Sequence, residues 1–177
     1  MTNVFDFYRI KTVFKEEGVD GAIVPVKAED LVMATCYTEA EKIAYKLMEG
    51  KDKFGDVTYE ITKTKIENIL YNDTFHTDES MICGLISYYF SEPEDTEVGL
   101  YAVSAVIYVM NEKTGKLKSQ KDTIYLPAQS PKQAIVDATK YIEEVYSTAD
   151  SYTIRNVKYD KAQSVMVTPE VHKSNVA

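Results

Sequence analysis

Apolar and polar positions alternate through Tyr8, Ile10, Thr12 and Phe14, with Arg9, Lys11 and Val13 between them, the period of a strand that buries one face. A turn holding Gly18 and Gly21 follows. Residues 22–26 and 31–37 predict a returning strand, bulged near Pro25 and the polar stretch 27–30. The period then changes. Apolar positions Ala40, Ile43, Ala44, Leu47 and Met48 make one face of a helix that ends before Gly50, and Thr38 with Glu41 has the spacing of a capping box. Residues 57–61 read as a third strand, which Ile66, Ile69 and Leu70 extend or follow.

The second half of the chain takes the same steps. Tyr101, Val103, Ala105, Ile107 and Val109 alternate along a strand, Asn111-Glu112-Lys113-Thr114-Gly115 makes a hairpin turn, and residues 123–126 return. Ser130 and Gln133 form a second capping box with Pro131 at the first helical position, where a missing amide costs nothing. Ala134, Ala138, Tyr141, Ile142 and Val145 make the buried stripe, and residues 152–159 close the unit. Short stretches match directly: residues 7–14 return as 100–107, and Tyr59-Glu60-Ile61 returns as Tyr152-Thr153-Ile154. We therefore expect an α+β fold built by tandem duplication of a ββαβ unit, with antiparallel sheets, one helix per repeat and a pseudo-two-fold axis. The expected boundaries are residues 1–71 for the first repeat, 72–98 for a connector, 99–168 for the second repeat and 169–177 for a frayed tail.

The order strand, hairpin, strand, capped helix, strand, given twice, with Asn111-Glu112-Lys113-Thr114-Gly115-Lys116 in the second hairpin and Thr62-Lys63-Thr64-Lys65-Ile66 after the first closing strand, resembles an uncharacterised duplicated family of Bacteroidetes and their phages. That family is a domain of unknown function. The resemblance implies a phage or mobile-element setting and no catalytic residues; the apolar stretch 81–90 departs from its pattern. A bias of 18 Lys against two Arg fits an AT-rich genome.

Composition adds bounds. The chain has 177 residues, 45% of them apolar and 27% charged, which is globular and long enough for a real core. No apolar run approaches the roughly 18 residues of a membrane span, and residues 1–11 carry no apolar signal core, so a cytoplasmic protein is expected, in a bacterial host during infection or in a virion. The net charge of -8 is uneven. Seven acids (Asp73, Asp78, Glu79, Glu92, Glu94, Asp95 and Glu97) fall in the connector region without a Lys or Arg, which leaves the two repeats almost neutral and does not exclude an anionic ligand. Cys36 and Cys83 are expected to be reduced and structural, in apolar surroundings.

Catalytic chemistry is not visible. The seven glycines are scattered and make no phosphate loop. His76-Thr77-Asp78-Glu79 reads as a solvated acidic loop rather than a metal site, and Glu39 with Glu41, or Glu143 with Glu144, as helix-end or solvated carboxylates. No enzyme activity, metal or cofactor is expected. Recognition is the remaining class. Fourteen Tyr and no Trp include Tyr8, Tyr59, Tyr101 and Tyr152, which we read as core, leaving Arg9, Lys11, Lys63, Lys65, Tyr108, Arg155 and Lys158 as candidates for stacking bases and following phosphates of single-stranded nucleic acid. A host or phage protein is the alternative partner, through Met81, Ile82, Leu85, Ile86, Tyr88, Tyr89 and Phe90, a segment read first as completing the core. A sponge for a nucleotide signal and a homo-oligomer stay open.

Overall fold

The computed structural model describes residues 4–71, 76–91 and 97–176, with residues 76–80 and 176 as backbone only. Among the described residues it is an α+β fold with three helices and two mostly antiparallel sheets. In chain order the elements are β1 (Asp6–Glu17), β2 (Ile23–Ala34), α1 (Tyr37–Met48), β3 (Thr58–Lys63), β4 (His76–Ile82), β5 (Leu85–Tyr89), β6 (Gly99–Met110), β7 (Leu117–Ala128), α2 (Pro131–Val145), β8 (Ser151–Asp160), β9 (Ser164–Val167) and α3 (Pro169–Val176). The six-stranded sheet runs β3-β1-β2-β9-β5-β4 and the three-stranded sheet β7-β6-β8.

Two compact units divide the chain. The first holds the described residues up to Glu67, His76–Tyr89 and those from Ala162 on; the second holds residues 68–71 and the described residues from Phe90 to Lys161. Within the first, the alternation along β1 buries Tyr8, Ile10, Thr12 and Phe14, and Tyr8 and Ile10 pack with Val32, Ala34 and the Ala40, Ile43 and Ala44 stripe of α1. Within the second, Tyr101, Val103, Ala105 and Ile107 pack with Ile124 and Leu126 against Ala134, Ala138 and Ile142 of α2. In both units the first strand of the hairpin is flanked by the second strand and by the strand after the helix.

Several expectations need correction. The predicted bulge in the second strand is absent: β2 pairs with β1 in unbroken register from Asp6↔Ala34 to Glu17↔Ile23. Pro25 is tolerated there because β9 lies beside β2 only at Asp30–Val32, so the proline interrupts no ladder on that side. Helix α1 starts two residues early, with Cys36 in place of Thr38 as N-cap and no side-chain cap; Glu39 instead accepts from both the Thr35 amide and its hydroxyl at 2.6 Å, which lowers the Glu39 pKa. The Ser130 cap stands, its Oγ accepting from the Gln133 amide at 3.1 Å.

The C-terminal segment differs most. Residues 164–167 do not extend the second repeat: β9 inserts between β2, in parallel, and β5, antiparallel, and Val165, Met166 and Val167 are almost wholly buried. The expected frayed tail forms α3, and His172 hydrogen-bonds Tyr88 of β5 at 2.6 Å. Nor is 76–89 a connector, since β4 and β5 form a hairpin of the six-stranded sheet; residues 72–75 and 92–96, with the side chains of 76–80, lie outside the described residues, and with them most of the expected acidic run. Both cysteines are free thiols and exposed rather than set in apolar surroundings.

Candidate nucleic-acid interface

Since β6 sends its odd-numbered residues from Tyr101 to Ile107 into the α2 core, its even-numbered ones face the other way, and the register fixes what stands beside them. Ala102 lies between Tyr125 and Lys158, Ser104 between Thr123 and Asn156, Val106 between Lys121 and Thr153, and Tyr108 between Ser119 and Ser151. The floor is small or hydroxylic, and the rim carries three cations. A bulge in β8 at the Ser104/Ala105 step leaves Arg155 outside the regular pairing, and its guanidinium donates to the Tyr108 hydroxyl at 3.4 Å. Tyr108, Lys121 and Arg155 line one open groove of about 490 Å³, within the range of small-molecule sites. Lys121, Arg155 and Lys158 are exposed, and none of them takes part in an ion pair among the described residues.

The other predicted cations are placed elsewhere. Arg9 and Lys11 lie on the face of the six-stranded sheet away from α1, where Arg9 is paired with Glu29 at 3.0 Å and Lys11 stands in register with both Glu29 and Glu60. Lys63 is opposite Tyr8, on the α1 side, and bonds Asp6 at 2.9 Å; that hydrogen bond and the Asp6 charge raise its pKa. Lys65 is exposed just past β3. Thus Tyr108, Arg155 and Lys158 share a face, while Arg9 and Lys11, Lys63, and Lys65 do not join them. Lys121 was missed. Its signal was the alternation Ser119, Lys121, Thr123, Tyr125 against Asp122, Ile124, Leu126, hidden because the returning strand was expected only over residues 123–126.

The four tyrosines read as core are buried or tied down. Tyr8 and Tyr101 are buried. The Tyr59 hydroxyl contacts that of Tyr45 at 3.2 Å and donates to Glu41 at 2.7 Å, which together raise its pKa, and Tyr152 donates to Glu143 at 2.9 Å with the same effect.

The segment 81–90 turns through Cys83 and Gly84, both at positive φ (51° and 76°), a two-residue hairpin turn whose twist suits the flanking strands. Leu85, Ile86, Tyr88 and Phe90 are buried and Ile82 packs against the α1 core. Of the seven candidate partner residues only Met81 and Tyr89 remain exposed.

Among the described residues no three His, Cys, Asp or Glu side chains converge as metal ligands, and the His76 side chain lies outside them. One buried carboxylate stands out. Asp30, 2% exposed, accepts through Oδ1 from Ser164 Oγ and Gln163 Nε2, while its Oδ2 has no partner; burial raises its pKa. It joins β2 to β9. No helix is long and apolar enough to cross a membrane among the described residues.

A family described as Domain of unknown function (DUF4494) matches residues 6–168. No curated protein and no solved structure matches the chain.

Proposed function

The chain belongs to the DUF4494 family, a domain of unknown function, and we propose that it is a non-catalytic binding protein that takes single-stranded nucleic acid on the open face of β6, β7 and β8. One observation carries this reading: Tyr108, Lys121 and Arg155 line one groove on a sheet face that also carries Lys158, beside Ala102, and none of the three cations is in an ion pair among the described residues. Cations that follow phosphates and an aromatic ring that stacks on a base are the two requirements of a sequence-tolerant single-strand site. A labelled oligonucleotide titrated at low ionic strength tests it. Binding should weaken steeply with salt, and Tyr108→Ala should cost about 1–3 kcal/mol.

The groove's volume also favours a second reading, a sponge for a single nucleotide. Competition by free mononucleotides at concentrations near the oligonucleotide's own would select it.

Tandem duplication belongs to the same proposal. Tyr8↔Val32 answers to Tyr101↔Leu126 and Asp6↔Ala34 to Gly99↔Ala128, while Cys36, Ala40 and Ala44 answer to Ser130, Ala134 and Ala138. The closing strands are the departure: Ile10 pairs Ile61 and Val103 pairs Val157, so Ile61 answers to Val157 and not to Ile154. A phage or mobile-element setting is part of the proposal and rests on the family resemblance of the sequence; the Lys-over-Arg bias fits an AT-rich genome.

A further inference from the structure

Beyond Tyr108 the β6–β7 hairpin continues for one more pair on the same face. Met110 is in register with Leu117, and both are about half exposed, 48% and 59%. An exposed cross-strand apolar pair is a cost in water, and here it sits at one end of a face whose other end holds Lys158 beside Ala102. Between them come Arg155, Lys121 and Tyr108. The face therefore carries cations along its length, from Lys158 beside Ala102 to Arg155 on the Tyr108 hydroxyl, and ends at the hairpin turn in an apolar pair, where the Asp150 carboxylate accepts from the Met110 amide at 2.6 Å.

Resting on the single-strand reading above, we infer that Met110 and Leu117 are the terminal base-contacting element of the site, so that the nucleic acid runs along β6 rather than across the strands. The charge pattern argues for this occupant. A single strand offers phosphates for Lys158, Arg155 and Lys121 and, unlike a duplex, unstacked base faces for Tyr108 and the Met110–Leu117 pair. A purely apolar peptide would leave the cations unmatched, and an acidic one would leave the pair unmatched. Residues 102 and 110 are eight strand positions apart, roughly 26 Å at about 3.3 Å per residue. That length accommodates about eight stacked nucleotides at about 3.4 Å each, and fewer when the strand is extended.

The test is a length series of oligothymidylate and oligouridylate, from two to sixteen nucleotides, titrated against the full chain and against Met110→Ser/Leu117→Ser at one low salt concentration. Affinity of the unmodified chain should climb with length and level off by about eight nucleotides. The double variant should bind the shortest strands equally well and lose about tenfold on the longest. Equal loss at every length, or no loss at any, overturns the inference while leaving single-strand binding intact. No binding of any strand overturns both. The pair lies at an exposed hairpin end, so folding should survive; should the double variant unfold, Leu117→Ser alone, read by the same length series, replaces it. If the unmodified chain dimerises without oligonucleotide and the variant does not, the pair belongs to a second copy and the inference falls.

Discussion

The two units share the order ββαβ and the central placing of the first strand, yet they treat charge in opposite ways. In the first, all cations expected to bind along β1 face acids across the sheet: Arg9 pairs with Glu29, and Lys11 lies between Glu29 and Glu60. In the second, the corresponding face carries Lys121, Arg155 and Lys158 without a carboxylate partner among the described residues. The interiors are reversed. The buried Thr, Ser and Asp side chains among the described residues, Thr12, Asp30, Ser87, Ser164 and Thr168, all belong to the first unit. A cation on a strand is thus no evidence of a site until its cross-strand neighbours are known, because an adjacent carboxylate neutralises it locally.

The largest test of the contrast is truncation after Lys161. It removes β9 and α3 and with them the burial of Val165, Met166 and Val167, worth about 1.5–3 kcal/mol each, against a total stability of about 5–15 kcal/mol. Hydrogen exchange should show β1 and β2 losing protection while β6, β7 and β8 keep theirs. Equal loss in both units would mean that they fold as one.

Asp30 gives the next effect. Its ordinary pKa of 3.8 holds in the unfolded chain, whereas burial raises it in the folded one, so the native state retains the proton to higher pH. Stability should therefore fall as pH rises from 3.8 through the raised folded value and then level off. Asp30→Asn keeps an acceptor for Ser164 and should abolish that slope in urea midpoints measured across the window. A slope that survives the substitution assigns it to another group.

Helix caps sharpen the comparison on a smaller scale. Ser130→Ala should destabilise by about 0.5–2 kcal/mol, and Thr38→Ala by much less, since Thr38 caps nothing; Glu39→Ala should cost more than Thr38→Ala. Denaturant unfolding of the three variants gives the order.

What was legible follows from the range of each interaction. Strands β1, β6 and β8 and both major helices were readable because period is local, and so was the Ser130 cap; the Thr38–Glu41 spacing misplaced the start of α1. The pairing of β9 was not: four residues, Ser164–Val167, buried on both faces carry no alternation, and their partners Asp30–Val32 and Ile86–Tyr89 are distant in sequence. The site was half legible. Tyr108, Arg155 and Lys158 were singled out, but the face of Lys63 depended on the register of β3 against β1, and Glu29 could be matched to Arg9 only once β2 was known to run without a bulge. The β8 bulge, which brings Arg155 to Tyr108, has no sequence signature here.

The central claim is that the second unit's open face, and not the first unit's, meets phosphate. Two triple variants put the faces side by side in a salt titration with a labelled single strand: Lys121→Ala/Arg155→Ala/Lys158→Ala, and Arg9→Ala/Lys11→Ala/Lys63→Ala. Removing three phosphate contacts should reduce the slope of log affinity against log salt by about two, and only the first triple should do it. Equal slopes for both variants, or a slope that falls only when Arg9, Lys11 and Lys63 are removed, would contradict the account.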